Sequence, residues 1–330
     1  FLGGCDTVSY VHYPTITPEM MKVVSSRHST YNNPSFIAKN PVLSAAKLIY
    51  YRLFAALYRC CGKFSTFVMV NSSWTEDHIN VLWRLPQTTY KVYPPCDTRD
   101  LESISLVRNA NDKIKILSVA QFRKEKDHPL QLRSMFSLRQ IVPEDLWERI
   151  ELVLIGATRN KEDEEWLQDL KDMAKHFSIE DNVSFKINIP YETLKKEFAE
   201  GDYCNTSTVV LMIVVANEFC FFNLGVIGIH TMTNEHFGIG IVECMAAGLI
   251  MIAHRSGGPM MDIIEECDTS RNGFLAVDED EYARAIAIAL SLSEEKRNDI
   301  RVAARSSSHR FSVEEFQNNF LRVVEPLFNQ

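Results

Sequence analysis

No cysteine in this chain stands in a C-x-x-C, and none lies at zinc-ligand spacing, although there are eight of them, with Cys60 and Cys61 adjacent. The usual signatures of a structural zinc are therefore missing. A chain of 330 residues also has no need of disulfide staples to hold a core. The thiols read as reduced, in the cytosol. An excess of basic residues is lacking too. There are 35 Lys and Arg against 43 Asp and Glu, a formal net charge of -8, which argues against a nucleic-acid backbone as partner. The first residues hold no signal peptide and no apolar anchor, and Phe1 is not a methionine, so the chain reads as cut from something longer. Asn71, Asn182 and Asn205 open Asn-x-Ser/Thr triplets at a frequency that chance explains in a cytosolic chain.

What is present is an ordinary globular composition, 46% hydrophobic and 24% charged, in a length that suits two domains. A strand ends at Tyr10-Val11 and runs into a Pro-bent loop holding His12, a position where sites are built, although a lone histidine is more often structural. Residues 43–61 are helical in pattern. Their aromatic and aliphatic groups, with Lys47, Arg52 and Arg59 among them, suit either a helix packed on a sheet or one lying in a membrane interface; the segment is too charged to span. Residues 67–70 are a strand, and Thr75 is placed to cap the helix that follows. The stiff Tyr93-Pro94-Pro95 and the polar residues 99–113 mark a domain boundary. The expected division is 1–97, 98–310 and a C-terminal helix in 311–330 that packs back on the body.

From residue 114 the period is regular. Strands at 114–119, 151–155 and 183–187 alternate with helices at 129–141, 162–177 and 192–199. This predicts an α/β, doubly wound parallel sheet. Residues 226–229 and 249–253 are two further strands, and Gly273 to Ala276 a last short one. After the first of these, Asn234-Glu235-His236-Phe237-Gly238-Ile239-Gly240 leads into a helix closed by Gly248. After the second, Ser256-Gly257-Gly258-Pro259 predicts another helix. Two helix N-termini would then face the same sheet edge, where open α/β folds bind phosphorylated ligands. The basic turn with Arg123, Lys124 and Lys126 follows the domain's first strand and suits a diphosphate; a solvated basic loop is the bland alternative. Glu235 and Glu243 are spaced so that both can reach one ligand, against the plain role of Glu243 in stabilising a helix dipole.

The pattern E-x-F-G-x-x-x-x-E after a strand resembles the signature of retaining, nucleotide-sugar-dependent glycosyltransferases of family 4. The stretches HYPTIT, NSSWT, YPPCD, QFRKEKDHPLQLRS, LVLIG, FKINIP and NEHFGIG narrow that resemblance to the dolichol-pathway α-1,2-mannosyltransferases. The resemblance implies a GT-B fold of two Rossmann-like domains, the N-terminal one incomplete. It implies transfer of mannose from GDP-mannose to a dolichol-diphosphate-linked oligosaccharide. The place of action would be the cytosolic face of the endoplasmic reticulum membrane, with that membrane surface and other mannosyltransferases of the pathway as partners. No metal or cofactor is implied. Glu235 would hold hydroxyls of the transferred mannose, with His12 near that sugar. Arg123, Lys126 and the backbone amides from Gly238 through Ile239 and Gly240 to Ile241 would bind the diphosphate. Glu243 would accept from the ribose, and the turn 186–189, with Asn188, would lie near the base. The acceptor would attack from the front face.

Three departures from the resemblance stand out. Gln121 replaces an arginine common in relatives, so Arg123 must supply that charge. The glycine-rich first turn and the anchor of the N-terminal domain are absent. Residues 203–225 interrupt the link to the next strand, as a translated intron or as an authentic loop. These defects predict that the chain as it stands does not complete transfer. The alternatives are another GT-B transferase, an epimerase or phosphorylase, or a non-catalytic fragment.

Overall fold

The computed structural model describes residues 5–28, 33–102, 106, 114–188 and 225–328. The helix expected at 192–199 and the interruption at 203–225 lie outside these residues, save Gly225. The chain divides into two compact units, Phe1–Pro94 with Glu314–Gln330, and Pro95–Val313.

The first unit is built on three parallel strands, β1 (Val8–Val11), β2 (Phe67–Val70) and β3 (Thr89–Lys91), in the order β1-β2-β3. Helices α1 (Pro18–Ser25), α2 (Ser35–Lys39) and α3 (Pro41–Gly62) join the first two strands, and α4 (Ser73–Trp83) the next two. Alternation along β2 explains the layers. Val68 and Val70 face a core of Ile79, Leu82 and Trp83, against which Tyr51, Phe54 and Tyr58 of α3 pack. Met69 faces the other way, into a cluster with Val92, Val323 and Val324, where Phe316 and Phe320 also pack. A strand covered on both faces reads as an unbroken apolar run, as Phe67-Val68-Met69-Val70 does. α4 starts one turn earlier than expected. Its cap is Ser72, whose Oγ accepts from the Thr75 N–H at 3.1 Å, and Thr75 is buried inside the helix.

The second unit holds β4 (Ile114–Val119), β5 (Ile150–Gly156), β6 (Val183–Ile187), β7 (Gly225–His230), β8 (Ile250–His254) and β9 (Gly273–Ala276). All pair in parallel, in the order β6-β5-β4-β7-β8-β9. The intervening helices are α5 (Arg99–Glu102), α6 (His128–Arg139), α7 (Glu144–Trp147), α8 (Lys161–His176), α9 (Ile239–Ala246), α10 (Glu279–Ser291) and α11 (Glu294–Ser308), and α12 (Val313–Val324) closes the chain. Strand order reverses between β4 and β7. The connections leaving these two neighbours diverge there and open a crevice at their C-terminal ends, the place where such sheets bind ligands.

The helix expected after Ser256-Gly257-Gly258-Pro259 is present but short. Pro259–Ile263 makes a five-residue π-helical turn, after which Asn272 Oδ1 accepts from the Glu265 N–H at 2.8 Å and draws the chain away. Only α9 aims a full helix N-terminus at this sheet edge from the pair of glycine turns.

The end of β5 is tight. A Cβ on Gly156 would stand 2.0 Å from the Ala120 carbonyl oxygen, and Ala120 is held there by its N–H bond to Ile155 O at 3.0 Å. Backbone cannot yield as a side chain does. Gly156→Ala is expected to destabilise the fold by about 1–3 kcal/mol, as overpacking does. A denaturant midpoint equal to that of the parent chain would show that the approach is looser than this.

Candidate functional site

The site is assembled from the loops that leave β4, β7 and β8. Tyr282 of α10 is fully buried, and its hydroxyl donates to His230 O at 2.8 Å, which fixes the end of β7. The next residue, Thr231, donates through Oγ1 to Lys126 O at 2.8 Å and accepts from Gln131 Nε2 at 2.9 Å. These bonds tie the loop after β7 to the turn after β4. Asp127, at φ 47°, reverses that turn and caps α6 by accepting from the Leu130 N–H at 3.3 Å. Lys126 is thereby delivered to Glu235. Its Nζ lies 2.8 Å from Glu235 Oε2 and 3.2 Å from Met232 Sδ. His230 Nε2 meets the same Oε2 at 3.2 Å. Among the described residues nothing donates to Oε1.

The loop after β8 supports Glu235 from beneath. Gly258 N–H donates to Glu235 O at 2.8 Å, and Asn234 N–H donates to Ser256 Oγ at 2.8 Å. His254, the last residue of β8, lies 2.8 Å from Ser256 Oγ through Nδ1 and 3.3 Å from Thr233 Oγ1 through Nε2. The two loops touch backbone to backbone. At Gly257, φ is +62°, and a Cβ there would stand 2.2 Å from Glu235 O. No residue with a side chain fits that place.

The electrostatics separate the two candidate carboxylates. Burial alone would raise Glu235, but the hydrogen bond from His230 and the charge of Lys126 outweigh it and hold the carboxyl well below its ordinary range. Glu235 is therefore an anion at neutral pH. Glu243, the fifth residue of α9, is half-buried, and among the described residues it has no hydrogen-bond or ion-pair partner; burial pushes it up to about 7. Buried Cys96 is raised by its own burial and by the nearby charge of Glu243. His128 lies beneath the basic turn, stacked on Phe122 with ring centroids 5.3 Å apart. Burial, then the nearby His230 and Lys126, lower it to about 4, so it is neutral.

The three cations of the basic turn have different partners. Arg123 pairs with Glu125 at 2.5 Å, Lys124 lies 5.4 Å over the Trp166 ring, and Lys126 holds Glu235. Arg123 and Glu125 are partly exposed, so this pair is open to exchange with an incoming anion. At α9 no side chain caps the N-terminus. Ile241 N–H already donates to Gly238 O at 3.0 Å, which leaves the amides of Ile239 and Gly240 without acceptors among the described residues. Asn188, at φ 45°, follows β6. Its Oδ1 accepts from Thr158 N–H at 3.1 Å and its Nδ2 donates to Thr158 Oγ1 at 2.9 Å, so its amide shapes the loop. His12 belongs to the other unit, exposed just past β1, its ring edge-on to Tyr10 at 4.7 Å. Arg123, Lys126, Glu235, Glu243, Asn188 and the start of α9 share the second unit, on connections that leave the C-terminal ends of β4, β6 and β7.

His230, Thr231, His254, Ser256 and Gly258 were not expected as site residues. The signal available for both histidines was a polar residue closing an otherwise apolar strand.

The raised Glu243 has a stability consequence. The native state keeps its proton where the unfolded chain, at the ordinary 4.5, has lost it. The associated stability is complete below about pH 4.5 and is lost as the pH rises through about 7. Glu243→Gln is expected to raise Tm by a few degrees near pH 8 and to leave it little changed at about pH 5. Equal shifts in thermal melts at both values would contradict the burial of this carboxyl.

Comparison with known proteins agrees with this geometry. Residues 1–83 match the family described as ALG11 mannosyltransferase N-terminus, and residues 102–211 and 222–307 match glycosyl transferases group 1. The chain is 45% identical over 329 residues to the GDP-Man:Man(3)GlcNAc(2)-PP-Dol alpha-1,2-mannosyltransferase of Xenopus laevis, and equally to that of Homo sapiens, covering 99% of this chain and 62% of each relative. The Caenorhabditis elegans protein of the same name is 38% identical over 329 residues, covering 98% of this chain and 64% of its own. The chain thus spans less than two thirds of the length of these relatives. Among solved structures, Anabaena HepE in complex with UDP and glucose superposes with a TM-score of 0.64 at 16% identity, over 98% of this chain and 72% of that one. A trehalose-6-phosphate synthase, OtsA, does so with a TM-score of 0.65 at 11% identity, over 98% and 68%. The fold is α/β, of the GT-B type, with two Rossmann-like parallel-sheet units. By these matches the chain belongs to the glycosyl transferases group 1 family.

Proposed function

We propose that this chain carries the donor-handling part of a mannosyltransferase that moves mannose from GDP-mannose, in α-1,2 linkage and with retention, to a dolichol-diphosphate-linked oligosaccharide. The observation that carries the reading is the buried Glu235 carboxylate. One of its oxygens is held by Lys126 and His230 and the other accepts no bond among the described residues, at the β4/β7 crevice of a chain 45% identical to enzymes of that name. A fixed anion with one free oxygen is suited to sugar hydroxyls.

In this reading Arg123 exchanges Glu125 for the diphosphate, and the Ile239 and Gly240 amides donate to the same group. Glu243 accepts from the ribose hydroxyls, and the loop at Asn188 lies toward the base. The bond from the mannose anomeric carbon to the diphosphate oxygen breaks while the acceptor oxygen bonds to that carbon on the same face. The acceptor proton passes to the departing diphosphate. Cationic side chains and amides, rather than a metal, stabilise the charge that develops on the leaving group. The dolichol-linked acceptor places the work at the endoplasmic reticulum membrane, on the cytosolic face where the nucleotide sugar is available.

In a form extended to the relatives' full length, Glu235→Gln should lower transfer from GDP-mannose by about 10²-fold or more, while GDP binding survives. Turnover like that of the parent protein would remove Glu235 from the reaction. If the parent binds nucleotide but transfers nothing to a dolichol-linked acceptor, the chain is a binding form. Arg123→Ala should weaken GDP by about 1.5–3 kcal/mol, the worth of one charge-assisted contact, and leave guanosine nearly unaffected. Calorimetry showing equal losses for both ligands would place Arg123 away from the phosphates.

A further inference from the structure

The loop after β7 carries Glu235, and one side chain at the end of β8 grips that loop from two sides. His254 is only 8% exposed and follows Ile250, Met251, Ile252 and Ala253 in the strand. A polar ring buried there costs free energy unless its nitrogens are bonded, and both are. Nδ1 lies 2.8 Å from Ser256 Oγ, and Nε2 lies 3.3 Å from Thr233 Oγ1. A tight turn makes the first contact. Ser256 N–H donates to His254 O at 2.7 Å, which folds the serine back toward the imidazole. Ser256 Oγ also accepts from the Asn234 N–H at 2.8 Å. Thr233 and Asn234 are neighbours in the chain, so these contacts close a ring. It runs out from Asn234 to Ser256, through the imidazole, and back to Thr233.

The ring encloses the peptide just before Glu235. Thr233 and Asn234 are exposed and gain little from packing. Asn234 stands at φ 54°, a left-handed conformation that a residue with a side chain keeps where its surroundings hold it. One residue later, Gly258 N–H donates to Glu235 O at 2.8 Å. Gly258 thus fixes the carbonyl end of Glu235, and the ring fixes the chain that enters it. Together they decide where the carboxylate stands between Lys126 and His230. Burial pushes His254 below the ordinary histidine value, against the nearby charge of Asp127, so the imidazole is neutral at neutral pH. Either tautomer closes the ring, because both partners are hydroxyls that donate or accept. Both nitrogens are spent on the protein, so His254 reaches a ligand only through the loop.

We propose that His254 is a positioning residue for transfer, holding Thr233 and Asn234 and thereby setting the place of the Glu235 carboxylate. The proposal rests on the reading of Glu235 as the group that holds the transferred sugar, and one arm of its test does not depend on turnover. In the chain as it stands, His254→Ala should raise amide hydrogen exchange in residues 231–236 by about tenfold and leave that of β4 and β5 unchanged. In a form extended to the relatives' full length, the same substitution should lower kcat by about ten- to a hundredfold, as a displacement of about 1 Å does, and change KM for GDP-mannose by less than about twofold. Thr233→Val removes one side of the ring at an exposed position and should reproduce part of the loss. His254→Gln and His254→Asn, whose amides reach the places of Nε2 and Nδ1, should each restore part of it, and His254→Leu should not. Combined with Glu235→Gln, His254→Ala should cost little further, because the two act as a unit. Unchanged exchange in His254→Ala would overturn the proposal. So would parent-like kcat in His254→Leu, which would make the side chain a filler. A loss that multiplies fully with that of Glu235→Gln would place the effect of His254 elsewhere. Parent-like turnover in Glu235→Gln would instead remove the reading beneath the proposal, and the exchange arm, read without transfer, tells that outcome from the others.

Discussion

A carboxylate taken out of water must be compensated where it stands, and Glu235 sets that condition for this site. Its side chain is 15% exposed, that of Lys126 22% and that of His230 12%. Without both partners its charge would be among the most costly groups in the fold, and removing one partner of such a pair is destabilising by several kcal/mol, about 3–5 where it has been measured. The arrangement therefore fixes more than one side chain. Lys126 can reach Oε2 only if the turn after β4 is held against the loop after β7, which Thr231 does through Lys126 O. Glu235 can point back only if its backbone is seated on the loop after β8, which Gly258 does. Three strand exits are locked to one another through one ionised group.

The sheet order explains why these exits meet. β4 lies in the middle of the sheet, with β5 and β6 to one side and β7, β8 and β9 to the other. Chain leaving β4 and chain leaving β7 therefore turn to opposite sides, which leaves a crevice between their ends. Among the described residues, Glu235 Oε1 and the amides of Ile239 and Gly240 there make no hydrogen bond. A ligand with phosphates and hydroxyls can supply those bonds without any rearrangement of the core below, in which Ile116, Leu152, Leu154, Ile227 and Ile252 are fully buried or nearly so.

The strands were legible in the sequence because both faces of a central parallel strand are covered, and the sequence then shows an unbroken apolar run. β2, β4, β5 and β6 lie within a residue of where the pattern puts them. The Glu235 motif and the basic turn were legible too, through glycine and charge at strand exits. What was not legible was non-local. Ser256-Gly257-Gly258-Pro259 has the composition of a helix start, yet the Gly258 amide is used on Glu235 O, a carbonyl more than twenty residues earlier in the chain. No local pattern reports that packing. The same holds for His230, whose contact with Glu235 depends on how the intervening loop folds back. Helices α10 and α11 carry ordinary caps, Asp278 accepting from Glu281 N–H at 2.9 Å and Ser293 from Lys296 N–H at 3.3 Å, but nothing in their sequences shows that Tyr282 reaches the end of β7.

The two glutamates of the motif show how surroundings divide one chemistry into two tasks. Glu235 and Glu243 are the same residue type, joined by one turn of loop and the start of one helix. Against the cost of its burial, Glu235 is kept well below the ordinary carboxylate range by the His230 hydrogen bond and the charge of Lys126. Glu243 has burial without compensation and titrates near neutrality. A ligand that donates to Glu243 favours the ionised form, since a carboxylate is the stronger acceptor. In the proposed reading, a ligand that donates to Glu243 would release a proton there, and one that donates to Glu235 would not. Pairs whose environments drive their pKa values apart are the usual mark of divided roles in a site. Here the division comes from position alone: one carboxylate at the crevice, between a lysine and a histidine, the other one helical turn inside α9, where no cation pairs with it among the described residues.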